Sequence, residues 1–332
     1  MTDEAGRLDD RTERDLPNRF HTQSHRIYRY SGHGILVGLL VVASGGCATF
    51  GCKLSDGVVA ARQHSLQGME AMQRGRWDEA ESQFSQAVAT CPADERAHAQ
   101  LAETLWRRGA TDQAIREMER AAELSGGDAV MLVRLGEMYL ARGDLIRAGV
   151  KADEAIRINR SLASAWALRG DALQQQGHRT EALAAYHRAL SHQAHYPDVQ
   201  LAVAEIYRAM GRPQRTLCTL ESLADQYAPG QEPQQVLYLE GLAMKALGRN
   251  HDAVELLVAA SSRGPASPDL LYHLGEAQML VGDPTNARLS LEGALALAPR
   301  HVPSLQLRSR LEGQPRTAAA MASPSFSAPA PN

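Results

Sequence analysis

The sequence predicts an all-α chain of about seven stacked helix-turn-helix units, and three observations carry that expectation. Glycines fall at 75, 109, 143, 177, 211, 248 and 282, in steps of 34 residues apart from one of 37. Alanines recur in the same frame at 80, 114, 148, 182, 253 and 287, and again at 87, 121, 155, 189, 260 and 294. Aromatic residues make up 5% of the 332-residue chain. That is too few for a sandwich or barrel, whose strands favour rings and β-branched side chains. A fixed period of this length marks a repeat array, in which each unit buries its apolar face only against its neighbours.

Composition narrows the function classes. Four cysteines exclude a disulfide-built scaffold. A charge of −3, from 35 basic and 38 acidic residues, does not suit a protein held to nucleic acid by phosphate neutralisation. With 22% charged residues and a mean hydropathy of −0.32, the chain is not a multi-span membrane protein.

Residues 1–33 form a polar segment whose acids all precede Leu16, so Arg19, Arg26 and Arg29 make its end net positive. An uncharged run, 34–51, comes next; its apolar heart Ile35–Ala43 has the length of a signal-peptide core, and the whole run sits at the lower limit for a membrane span. Basic residues ahead of the run hold 1–33 in the cytoplasm and export the residues after it. Within it, Ala43-Ser44-Gly45-Gly46-Cys47 resembles a bacterial lipoprotein signal, and the resemblance implies a lipid on Cys47. Ser44 stands where that pattern usually has Leu, Val or Ile, so an uncleaved single span and a plain cleaved signal stay open. All three readings expect a body exported to the periplasm or cell envelope, membrane-associated or secreted; insertion in the opposite sense makes it a cytoplasm-facing adaptor. Residues 52–60 read as a spacer.

From residue 61 each unit holds two apolar-periodic stretches separated by glycine, which reads as helix, turn, helix. The glycine permits the left-handed conformation that ends the first helix. A small residue upstream (Gly68, Ala102, Gly136, Gly170, Ala204, Gly241, Gly275) lets two helices cross closely, while large ones such as Phe84, Met118 and Tyr186 fill the space beside it. Pro92, Pro265 and Pro299 terminate second helices. Residues 302–312, with Leu305, Leu307 and Leu311 among charged residues, read as a cap helix, and 313–332, with four prolines among Ala and Ser, as a disordered tail.

Ala165-Trp166-Ala167-Leu168-Arg169-Gly170, followed by Gly177, Ala182, Tyr186 and Ala189, resembles the tetratricopeptide repeat signature almost place for place. So do Leu135-Gly136 with Tyr139, Gly143, Ala148 and Ala155, and Gly75 with Trp77, Ala80, Phe84, Ala87 and Pro92. The resemblance implies a right-handed α-solenoid of seven repeats framed at 61–94, 95–128, 129–162, 163–196, 197–230, 234–267 and 268–301. The fifth departs from the frame: Thr216 and Leu223 replace alanine, Pro213 opens its second helix, and three extra residues fall within 227–233. A soft joint between repeats five and six is the expectation there.

No P-loop, dinucleotide-binding glycine pattern, nucleophile elbow or His-Glu-x-x-His occurs, so no catalytic site, cofactor or small-molecule substrate is expected. His187, His192 and His195 read as solvated turn residues rather than metal ligands, and Cys91 and Cys218 as packing residues. The family resemblance implies that first helices line a concave groove for a protein or peptide partner. One inward place carries Glu103, Glu137, Asp171, Glu205 and Glu276, four of them at 34-residue steps; Trp106, Val133, Leu140, Leu201, Tyr238 and Tyr272 fall beside them. An acidic, apolar groove suits a partner with basic and apolar side chains better than a C-terminal carboxylate. By resemblance, such a scaffold serves assembly of an envelope complex, or lends its groove to a cell-wall or secretion enzyme as a non-catalytic regulatory subunit.

Overall fold

Fifteen α-helices and no strand are present among residues 54–313, the part of the chain described by the structure, a computed structural model. The segment 34–51 and Cys47 lie outside those residues, as does the tail beyond Gly313. Helices alternate as first and second members of repeats: α1 Leu54–Gln73, α2 Trp77–Thr90, α3 Glu95–Arg107, α4 Thr111–Leu124, α5 Ala129–Ala141, α6 Leu145–Ile158 and α7 Ala163–Gln175. They continue as α8 Arg179–His192, α9 Pro197–Ala209, α10 Pro213–Ala224, α11 Gln234–Ala246, α12 Asn250–Ser262, α13 Pro268–Leu280, α14 Pro284–Leu297 and α15 Val302–Gly313. Together they form an all-α helical-repeat fold of the solenoid class. Two boundaries differ from the sequence frame. α1 starts at Leu54 rather than 61, so most of the expected spacer is helix, and α15 runs to Gly313.

The recurring glycine does the work its spacing suggested. All seven have φ between +65° and +85°. The residue after each one donates its N–H to a carbonyl five residues back, as Arg76 does to Ala71 (2.9 Å) and His178 to Leu173 (2.9 Å). This closes a Schellman motif and frees the chain to turn into the second helix. Helix starts repeat as well. Asp94 accepts from the N–H groups of Arg96 and Ala97 (3.0 and 3.2 Å), and Asp128, one period later, from Val130 and Met131 (2.9 and 3.0 Å). Pro197, Pro213, Pro268 and Pro284 sit in first turns, where a missing N–H is harmless.

The described residues form two compact units: those up to Gly127 with Glu137–Asp144, and Asp128–Gly136 with those from Leu145 onward. In the first, Phe84 and Ala80 of α2 pack with Ala71 of α1, Leu101 and Leu105 of α3 and Ala114 of α4. Gly68 makes the α1–α2 crossing possible, since a Cβ there would lie 2.7 Å from Phe84 Cε1. Arginines clip successive pairs together at a 34-residue step: Arg108 reaches Asp78 (2.7 Å) and Glu81, and Arg142 reaches Asp112 (2.6 Å).

In the second unit, apolar clusters run from pair to pair. Tyr186 of α8 is fully buried against Ala163, Ala167, Val199 and Val203. Leu220 and Leu223 of α10 then pack with Ala204 of α9 and with Val236, Leu239 and Leu242 of α11. Leu257 of α12 packs with Leu237, Leu270 and Leu274, and Leu291 of α14 with Leu307 and Leu311 of α15. The joint expected to be soft is therefore filled. Leu223 is fully buried, so the larger side chain occupies the interface between α9, α10 and α11. The extra residues are tied back: Glu232 accepts from the Gly230 N–H (3.0 Å) and pairs with Arg263 (3.7 Å), and Gln234 donates to the Ala260 carbonyl (3.1 Å).

Candidate protein-binding surface

First helices carry three places that recur with the repeat: an early one (Val133, Leu201, Tyr238, Tyr272), a middle one carrying the acids, and a late one (Trp106, Leu140, Lys245). In the first unit, Glu103 and Glu137 are half-buried and already engaged by other groups of the protein. Trp106 packs its ring on the Phe84–Leu101 cluster and keeps part of its surface exposed, as does Leu140.

In the second unit the acids are also drawn into internal contacts. The Tyr186 hydroxyl stands 2.7 Å from Asp171 Oδ1 and 2.6 Å from Gln174 Oε1. Burial first, and then Asp171, push that phenol above its ordinary range. Glu205 accepts from Gln235 Nε2 at 3.1 Å. Glu276 is held by His273 Nδ1 (3.3 Å) and by Lys245 Nζ from the preceding repeat, and these hydrogen bonds bring its carboxyl down to about 2. Asp171, Glu205 and Glu276 are thus held by internal hydrogen bonds, so their carboxylates are placed acceptors rather than loose negative charge.

The most continuous feature of these faces is aromatic. Tyr238 of α11, His273 and Tyr272 of α13, and His301 before α15 form a row, with successive ring centroids 6.1, 4.9 and 5.9 Å apart. Packing and polar contacts fix each member. Tyr272 backs onto the Leu291–Leu307 cluster, and Tyr238 onto the clusters around Leu223 and Leu257. Lys245 Nζ lies 2.9 Å from His273 Nδ1, and His301 lies between Asp269 (3.1 Å) and Ser304 (2.7 Å). The tyrosines were legible from their 34-residue step. The two histidines were not, because nothing local distinguishes a ring that joins this row from any other polar residue.

Two sequence readings change. Val133 is 4% exposed and belongs to the core, so it has no surface to offer a partner. Cys218 is exposed rather than packed. His187, His192 and His195 are all exposed, as solvated side chains are; His187 lies in the last turns of α8, with its Nε2 3.1 Å from the Tyr207 hydroxyl. Among the described residues no cluster of His, Cys, Asp and Glu could hold a metal ion, and no helix is long and apolar enough to cross a membrane.

Residues 65–129, 168–230 and 238–301 match the family model for the tetratricopeptide repeat. No curated protein matches the chain. Among solved structures it is similar to a tetratricopeptide repeat protein of Parabacteroides merdae, at 14% identity and TM-score 0.57 over 76% of this chain and 99% of that one. It is similar to PilW, a widely conserved type IV pilus biogenesis factor, at 19% identity and TM-score 0.56 over 63% and 96% of the two chains. A third, pilF of Pseudomonas aeruginosa, aligns at 15% identity and TM-score 0.50 over 77% and 100%. At these identities the likeness is one of fold.

Proposed function

Because the chain belongs to the tetratricopeptide repeat family, we propose that it is a non-catalytic scaffold that binds a protein or peptide partner on the first-helix faces of its repeats. Tetratricopeptide domains generally bind such partners, and the observation that singles out this surface is the fixed row from Tyr238 to His301. Half-buried rings on a rigid backing bind at low entropic cost, because the side chains are already ordered before the partner arrives. Glu205 and Glu276 beside them add acceptors for a partner's basic groups.

The scaffold acts from a membrane, through a lipid on Cys47 or a span formed by 34–51, with its body exported to the cell envelope. Support comes from the basic-then-apolar order of residues 19–51 and the small residues before Cys47. Assembly of an envelope complex is the task that fits an anchored binding surface, and one fold neighbour, PilW, is a type IV pilus biogenesis factor.

Two experiments test these parts separately. Palmitate labelling and fractionation of the wild type against Cys47→Ala should show label and membrane recovery lost in the variant; an unlabelled wild type refutes the lipid. Affinity capture with the full chain should lose its main partner on Tyr238→Ala with Glu205→Lys, and keep it on Leu289→Ala in α14, where 61% of the leucine is exposed. Capture insensitive to the first pair refutes the first-helix surface.

A further inference from the structure

The ring row has a spacing that a particular kind of chain would match. Its centroid steps of 6.1, 4.9 and 5.9 Å are somewhat shorter than the roughly 6.6 Å that two residues advance in an extended strand, an advance that shortens with twist. Alternate side chains of a twisted extended segment share one face and would therefore meet successive rings. Aromatic-lined grooves take proline-rich segments because these are already extended and lose little entropy on docking. The row is half-buried but open: His273 keeps 27% of its side chain exposed and His301 15%.

A segment with that pattern lies in the same chain. Ser323-Pro324-Ser325-Phe326-Ser327-Ala328-Pro329-Ala330-Pro331 places Pro324, Phe326 and Ala328 at every second position between serines, then Pro329 and Pro331. It contains no charge, so it brings no unpaired ion to a surface whose own ions, Lys245 and Glu276, already pair. The reach is sufficient. The last described residue, Gly313, closes α15, whose twelve residues measure about 18 Å and whose start adjoins His301. Residues 314–322 span up to about 30 Å when extended, more than the length of the helix they must retrace.

We infer that residues 323–331 dock on the row Tyr238–His273–Tyr272–His301 of their own molecule and compete there with an external partner. Pro324 and Phe326 lie toward His301 and Tyr272, and the Pro329–Pro331 end toward Tyr238. Tethering makes a weak contact effective. A linker of this length gives an effective concentration near 1 mM, so a segment with a dissociation constant of about 0.1 mM would occupy its site roughly nine-tenths of the time. The same occupancy weakens any external ligand of the row about 10-fold. This inference rests on the reading of the first-helix faces as the binding surface, and its test does not depend on finding the natural partner.

The test has two arms on the full chain. With p-benzoylphenylalanine at Val302, next to His301, illumination should join it to residues 323–326 of the same molecule; at Gln235, one turn before Tyr238, it should join residues 328–331. The same probe at Leu289 should capture neither. Links to the tail of a second molecule, forming covalent dimers, overturn the intramolecular docking, and no tail link at 302 or 235 overturns the site. In the second arm a fluorescent peptide of residues 323–331 is titrated against wild type and against Pro324→Ala, Phe326→Ser, Pro329→Ala, Pro331→Ala. The variant, its own tail disabled, should bind the peptide about 10-fold more tightly than wild type. Equal affinity, or no binding to either, overturns the inference. A natural partner captured through Tyr238 with neither result would leave the proposed function standing and this inference alone refuted.

Discussion

Substituting Gly170 by alanine should destabilise the α7–α8 pair even though alanine is the better helix former. A Cβ at Gly170 would lie 2.5 Å from Cε1, 2.6 Å from Cδ1 and 2.9 Å from Cζ of Tyr186. That ring cannot retreat, because Tyr186 is fully buried and its hydroxyl is fixed between Asp171 and Gln174. Overpacking of a fixed core costs about 1–3 kcal/mol, and three sub-contact distances place this site at the top of that range. Relief of the glycine backbone offsets about 1 kcal/mol, leaving a net loss of about 2 kcal/mol. Because repeat arrays unfold by parts, the assay is hydrogen exchange of the α7 and α8 amides rather than a single global transition. The same substitution in a Tyr186→Ala background should be neutral or stabilising, since the obstructing ring is gone. An equal loss in both backgrounds would refute the close-crossing explanation for the small residue in every repeat. Gly275→Ala, whose Cβ would stand 3.2 Å from Leu291 Cγ and the Ala287 carbonyl, should lose clearly less.

Other expectations concern the second unit and the misread valine. Glu240 of α11 is buried, and desolvation, followed by the charges of Glu221 and Glu232, brings its carboxyl up to about 7. An acid raised in the fold stabilises while protonated, so stability should fall as pH rises from about 4.5 to 7, by a few kcal/mol at most; Glu240→Gln should flatten that slope in pH-dependent denaturation. Leu223→Ala should cost about 2–4 kcal/mol and open residues 226–233 to early proteolysis, while wild type shows no preferential cut there. Early cutting of wild type would restore the soft joint. Val133→Ala should lower thermal stability by about 1–2 kcal/mol while leaving partner affinity unchanged, as fits a core residue.

What the sequence revealed and what it hid separate along physical lines. The glycine at 75 and its successors, and the small residues from Gly68 to Gly275, answer to backbone conformation and helix approach. These constraints act on single positions and repeat with the frame. Leu223 was harder to read, because whether a larger side chain widens a crossing or fills it depends on space set jointly by α9, α10 and α11. The acids illustrate the same limit. Their register was plain, but Glu276 meets Lys245 from 31 positions back and Glu205 meets Gln235 from 30 positions ahead, and such pairings depend on rotamers across repeats. Val133 was misplaced because a family-wide inward place does not fix how far one turn of one helix sinks into the core.

The most direct test of the central claim is hydrogen exchange of the full chain with and without its captured partner. Protection is expected on the first helices, strongest in α11 and α13 around Tyr238 and Tyr272, with α12 and α14 unchanged at their outer residues Val258 and Leu289. Protection confined to those second-helix faces would contradict it.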